Sequence, residues 1–272
     1  MAQRAKASLA DLMRTSRSGL VSVEDAAREL GLSAPAASAH LTRLVKTGWA
    51  QRVRRGLYLI LPLDATPDRP ATPEDPWVLA NELFSPCYIG GWSAAEHWGL
   101  TEQLFRSTLV ATAAQVRNTH SVFAGNAFRL YAVKREHLTT GIATVWRGSH
   151  RIAVSGPERT IVDGLNKPDL TGGLRHLVQI MVAYADSDRH DFATLVDVAE
   201  ASATGAAWKR LGYIAELLWP AADVITAAAA THLSAGYSRL DPAVKRNGRL
   251  TKRWRVWVNV DLAGIVRGRG AR

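Results

Sequence analysis

Apolar positions in the first sixty residues change their period three times, and each change predicts an element. Leu9, Leu12 and Met13 predict a helix from about Ser8 to Ser16. Ser22, with Asp25 three residues on, then reads as a helix start, and Ala26, Ala27 and Leu30 form an apolar stripe that stops at Gly31. A second helix follows from Ser33, with Pro35 in its first turn, where a missing N–H costs nothing. Ala37, Leu41, Leu44 and Val45 give it a buried face, and Pro35, Ala36, Ala39, Thr42, Arg43 and Lys46 face outward. After Gly48 the period drops towards two: Trp49 to Val53 and Leu57 to Leu59 read as strands joined by the basic turn Arg54-Arg55-Gly56. Three helices and a hairpin in this order predict a winged helix-turn-helix domain over residues 1–61, an arrangement suited to duplex DNA.

The segment from Pro62 to Pro76 holds five prolines and three aspartates in 15 residues and reads as a linker. Beyond it, over residues 77–272, helices are predicted at Trp77 to Phe84 and Ser93 to Trp98. Extended runs fall at Cys87 to Ile89, Ser107 to Ala111, Ala127 to Val133, Ile142 to Trp146 and Arg151 to Val154. From Pro157 the period becomes helical: Pro157 to Leu165, Gly173 to Tyr184, Asp191 to Ala199, Ala206 to Leu218 and Asp223 to Leu233. The run from Trp254 alternates as a closing strand. Strands first and helices later, with a closing strand, predict a larger mixed α+β domain behind the winged helix, and hence an α+β chain.

Charge divides this picture unevenly. Of the net +10, residues 1–61 carry ten Lys and Arg against four Asp and Glu, residues 62–240 carry 15 against 18, and residues 241–272 carry nine against two. Cations gathered at both ends point to phosphate contacts. The second cluster comprises Lys245, Arg246, Arg249, Lys252, Arg253 and Arg255, with Trp254 and Val256 between the arginines predicting a strand of one charged and one apolar face. That patch reads either as a second phosphate-contacting surface, able to meet nucleic acid or a partner protein, or as a solvated edge strand protected by charge. A single cysteine, Cys87, allows no internal disulfide, no apolar run is long enough to span a membrane, and the first residues lack a signal segment. These features predict a cytoplasmic protein.

Within the winged helix, the candidate DNA-contacting residues are Ser33, Pro35, Ala36, Ser38, Ala39, His40, Thr42, Arg43 and Lys46 on the second helix, and Arg52, Arg54 and Arg55 on the hairpin. Ser38 and Arg43 suit polar contacts, Ala36 or Ala39 suits a thymine methyl, and the wing arginines suit phosphates or the minor groove. His40 lies at the edge of the buried stripe. The helix is otherwise poor in the long polar side chains that read base edges.

Catalytic signals are weak. Glu96 and His97 are adjacent, so on a helix they point about 100° apart and grip one ion poorly. No Glu-x-Lys follows Trp77, one cysteine gives no Cys/His metal spacing, and no Gly-rich phosphate loop occurs. No catalytic, metal or cofactor site is therefore predicted. Two alternatives to a DNA-binding regulator with a protein partner stay open: a plain transcriptional regulator whose second domain senses a small molecule, and an atypical phosphotransferase. Arg159 and Asp163, four apart at a helix start, are expected to pair.

Three motifs in order carry a resemblance. Gly48-Trp49 leading into Arg55-Gly56-Leu57-Tyr58, then Tyr88-Ile-Gly-Gly-Trp-Ser-Ala-Ala-Glu-His-Trp-Gly-Leu-Thr101, then Ser155-Gly-Pro-Glu-Arg-Thr-Ile-Val-Asp163, together resemble the AbiEi antitoxins of abortive-infection type IV toxin–antitoxin systems. The resemblance spans about residues 5 to 185 and weakens beyond. It implies a repressor whose winged helix binds inverted repeats in its own promoter, and a C-terminal domain that counteracts a nucleotidyltransferase-like toxin. For an atypical phosphotransferase, that toxin would be the substrate.

Overall fold

A computed structural model describes residues 10–13, 19–61, 75–123, 125–148, 150–246 and 248–265. It divides into two compact units: residues 1–83 with 120–128, and residues 84–119 with 129–272. Most of the expected linker, residues 62–74, lies outside the described residues, as do parts of the expected first helix on either side of its helical residues 10–13.

In the first unit, strand β1 (Leu20–Ser22) leads directly into helix α1 (Val23–Leu30), followed by helix α2 (Ala34–Lys46) and strands β2 (Ala50–Arg54) and β3 (Leu57–Ile60). The start of α1 is a reciprocal cap: the Ser22 hydroxyl accepts from the Asp25 N–H at 3.0 Å, and the Asp25 carboxylate accepts from the Ser22 N–H. Gly31 ends the helix at φ 61°, a left-handed conformation in which glycine carries no Cβ penalty. Pro35 falls in the first turn of α2, and Ala37, Leu41 and Leu44 are buried along it. They pack with Leu12, Val21, Ala26, Ala50, Tyr58 and Ile60 in one small core. β1 was not predicted. Three residues are too few to show alternation, and they become a strand by pairing Val21 with Tyr58 of β3. The same unit contains α3 (Pro76–Phe84) up to Leu83, and Asp75 accepts the Trp77 N–H near its start.

The second unit sets a sheet against a helical layer. Strand β4 (Cys87–Ile89) pairs antiparallel with β5 (Ser107–Thr112) and parallel with β9 (His150–Ser155), and β9 forms a hairpin with β8 (Ile142–Arg147). Helix α4 (Gly91–His97) follows β4 directly. Strands β6 (His120–Phe123) and β7 (Asn126–Ala132) fall between β5 and β8, and β7 continues into this unit from Arg129. β6 escapes a reading of periodicity because its four residues begin with His and Ser and none is fully buried.

Helix α5 (Pro157–Asn166) is the hub, with every residue from Arg159 to Leu165 buried. A Cβ on its Gly164 would come within 2.6 Å of Leu177 and 2.8 Å of Thr171, so a residue without a side chain is needed there for neighbouring elements to approach. Around α5 pack α6 (Leu174–Asp186), α7 (Phe192–Ser202) and α8 (Gly205–Leu218), with α9 (Asp223–Thr231) packed on α7 and α8, all sharing the main apolar core.

The chain closes with a small sheet of β10 (Ser238–Arg239), β12 (Val256–Val258) and β11 (Arg249–Thr251), in that order. Here the expected strand from Trp254 needs correction. Residues 252–255 form a turn, with Arg255 at φ 52°, and the strand begins only at Val256. Alternation misled because Trp254 is buried by tertiary packing against α8, where a Cβ on Gly212 would lie 2.2 Å from its ring. Among the described residues no helix is long and apolar enough to cross a membrane.

Candidate nucleic-acid interface

Helix α2 presents the surface that its apolar stripe leaves free. Ser33, Pro35, Ala36, Ala39, Thr42, Arg43 and Lys46 are exposed, and Ser38 and His40 are half-buried. On the wing, Arg52 and Arg55 are exposed, whereas the Arg54 side chain lies outside the described atoms. Arg55 and Gly56 form the two-residue tip between β2 and β3, Gly56 adopts φ 79°, and the pairing register shifts between Arg52 and Arg54. Such a shift bends the hairpin locally and redirects the basic side chains near its tip.

Chemistry narrows what each group can do. The Thr42 hydroxyl donates to the Ser38 carbonyl oxygen one turn back, at 2.8 Å, so its proton is engaged within the helix. Burial, and then the neighbouring Arg43 charge, hold His40 below the usual imidazole range. At neutral pH His40 is thus an uncharged group at the core edge. Arg43, Lys46, Arg52 and Arg55 have no acidic partner among the described residues. The result is a helix face of small side chains with cations along it and on the adjacent hairpin. Small residues allow the backbone to approach a groove closely, and unpaired cations can displace counterions from phosphates.

The C-terminal cations are arranged differently. All six, Lys245, Arg246, Arg249, Lys252, Arg253 and Arg255, are exposed. Three are tied into the fold, Arg249 through a side-chain hydrogen bond with the Tyr213 phenol. Arg253 pairs with Glu216, whose other carboxylate oxygen accepts from the Trp254 indole at 2.5 Å, and Arg255 donates to the Ser234 carbonyl oxygen at 3.0 Å.

The second and third sequence motifs meet in a buried polar network. Arg159, 2% exposed, donates from Nε to Asp163 Oδ1 at 2.9 Å, from Nη1 to the Thr140 carbonyl oxygen at 3.0 Å and from Nη2 to the Tyr88 hydroxyl at 3.0 Å. Tyr88 donates to Asp163 Oδ2 at 2.7 Å, and the Tyr131 hydroxyl lies 3.0 Å from that of Tyr88. Burial, and then the Asp163 charge, push both phenols above their ordinary range. Burial also raises the Asp163 carboxyl against the opposing pull of Arg159 and Tyr88. A second bridge between the motifs runs from the Trp98 indole to the Ser155 carbonyl oxygen at 2.7 Å. The expected Arg159–Asp163 pair is present. Its partner Tyr131 carried no sequence signal, because β7 is brought to this place only by sheet formation. Glu96 is exposed, and His97 packs edge-on against Trp98, the rings 4.6 Å apart. Both structural features suit a framework more than a reaction centre: the network's polar groups satisfy one another.

Two family models match consecutive parts of the chain. Residues 11–60 match a model described as a transcriptional regulator and AbiEi antitoxin, and residues 88–217 match the AbiEi antitoxin C-terminal domain. No curated protein matches the sequence. Among solved structures, the crystal structure of the RV2827C protein from Mycobacterium tuberculosis superposes with a TM-score of 0.62 at 18% identity, covering 98% of this chain and 95% of that one. At that identity the likeness is one of fold.

Proposed function

The chain is an AbiEi-like antitoxin, and from that premise we propose that it represses its own operon through the winged helix and counteracts a nucleotidyltransferase-like toxin through the part beyond residue 77. The observation that carries the DNA-binding half is the exposed face of α2 beside the wing, with Arg43, Lys46, Arg52 and Arg55 free of acidic partners among the described residues. In this reading α2 enters the major groove at promoter inverted repeats. Ser38 and Arg43 supply polar contacts, Ala36 and Ala39 pack against base edges, and Arg52, Arg54 and Arg55 neutralise backbone charge. Ser33, Pro35, Thr42 and Lys46 border the contact, and His40 supports it without charge. The second basic patch of Lys245, Arg246, Arg249, Lys252, Arg253 and Arg255 is a further candidate phosphate-contacting surface in this reading.

Operator binding tests this assignment. If about six phosphates are neutralised, affinity for a promoter fragment falls with a log–log salt slope of about −5, and replacing Arg43, Arg52 and Arg55 by alanine reduces the slope to about −2.5. Equal slopes for the two proteins would remove the wing and α2 from the interface. Co-expression with the toxin, using the same triple variant under a constitutive promoter, separates the two halves of the proposal: growth rescue is retained while repression is lost.

A further inference from the structure

A cavity of about 700 Å³ opens in the second unit beside α8 and the closing sheet. Its floor is apolar: Tyr213 and Leu217 of α8, Val258 of β12, and Leu262, which is almost fully buried. Arg246 and Arg249 join the lining, Arg246 has no acidic partner among the described residues, and both guanidinium-bearing residues are exposed. The one lining carboxylate is that of Asp261, which accepts the Ala263 N–H at 2.8 Å. Asn259 also lines the cavity, but its amide is fully used: it accepts from the Asp241 N–H at 2.9 Å and donates to the carbonyl oxygens of Asp241 and Val244 at 2.8 and 2.9 Å.

These bonds fix the backbone on either side of the basic pair. Asn259 ties the segment before Arg246 to the end of β12. Gly248, between the two arginines, presses so closely on that strand that a Cβ would fall 1.7 Å from the Val258 carbonyl oxygen. The cations are thus held over an apolar hollow by backbone contacts that require a glycine, whereas a merely solvated basic loop requires neither contact.

We propose that this cavity is a binding site for a small amphipathic monoanion: an apolar body seated on Tyr213, Leu217, Val258 and Leu262, with a carboxylate or similar anionic head held by Arg246 and Arg249. The volume falls in the range of small-molecule sites, which pair an apolar lining with a few orienting polar groups. Two guanidiniums match a planar carboxylate head, since arginine presents its donors as a fork. Nucleotides fit less well. The committed Asn259 amide leaves no side-chain amide to read a base edge, and Asp261 opposes a second or third negative charge.

The test uses 4-phenylbutyrate as the probe, with 4-phenylbutanol and AMP as comparators, titrated into the full chain by ligand-observed NMR. The acid binds at one site, the alcohol at least ten-fold more weakly, and AMP does not displace the acid. The R246Q/R249Q double variant loses at least ten-fold in affinity for the acid and leaves the alcohol unchanged. Leu217→Trp, at a partly exposed position, fills the cavity and abolishes binding of both. Absence of saturable acid binding, acid affinity unchanged in the double variant, binding that survives Leu217→Trp, or displacement by AMP would each overturn the assignment. Circular dichroism and melting of each variant establish that it is folded. The outcome is independent of operator binding, which resides in the other unit.

Discussion

Arginine does opposite work in the two units. In the winged helix, Arg43, Arg52 and Arg55 stand in solvent without acidic partners among the described residues, while the second unit buries Arg159 and Arg210 and engages their guanidinium nitrogens in hydrogen bonds within the fold. Arg210 donates to the carbonyl oxygens of Leu240 at 3.0 Å and Leu165 at 2.7 Å, joining α8 to the last turn of α5 and to the residue after β10. The Leu165 carbonyl would otherwise need another donor, since helix ends leave their last C=O groups unsatisfied. Burial holds Arg210 below its usual pKa, although that range is high enough for the group to remain charged. An exposed guanidinium contributes little to stability but is free to meet phosphate. A buried one fixes the geometry of its neighbours, and removing it leaves polar atoms stranded.

The contrast breaks most sharply at Arg159. Its replacement by alanine leaves Asp163 buried without its cation, to bear an uncompensated charge or take up a proton, and should destabilise the second unit by about 3–5 kcal/mol, read as a lowered denaturation midpoint. A loss below about 1 kcal/mol would mean that water reaches the network and that the pair is not a framework element. The winged helix has a smaller vulnerability at its cap. Ser22→Ala should cost about 1 kcal/mol and leave the second unit's unfolding unchanged.

The same cap gives a pH dependence. The hydrogen bond from Ser22, followed by its backbone N–H and Arg28, outweighs burial and lowers Asp25 below its ordinary value of 3.8. A lowered carboxylate pKa contributes stability that is present above 3.8 and is lost as pH falls through the folded-state value. Asp25→Asn should therefore remove part of the acid-side loss of winged-helix stability, measured by melting between pH 2 and 5. The smallest effect belongs to the surface cations. Replacing Arg43, Arg52 and Arg55 together should change stability by no more than about 0.5 kcal/mol per site, even where it halves the salt dependence of operator binding. A large loss of stability would show that these arginines also serve the fold.

The winged helix was legible because its signals are local. Ser22 with Asp25, Gly31, Pro35 and the 37–41–44 stripe each act within a few residues, and the structure places α1 and α2 accordingly. The same holds for β4, predicted over Cys87 to Ile89 and found there, and for the Arg159–Asp163 pair one helical turn apart. Other short strands leave no such signal. β1, β10 and β11 acquire strand character only from pairing, β1 and β10 with a partner well separated in the chain, and no period fits within so few positions.

The candidate site divides along the same line. Sequence alone determined which face of α2 is free, where the wing turns and where the cations cluster, because these follow from helical spacing and residue type. Tertiary structure decided that Tyr131 joins Tyr88, Arg159 and Asp163, that Trp254 turns inward against Gly212, and that Arg246 and Arg249 line an apolar hollow. Each of those outcomes depends on segments dozens of residues apart meeting at contact distance. Such meetings are fixed by packing and by the pairing of buried polar groups, neither of which leaves a period in the chain.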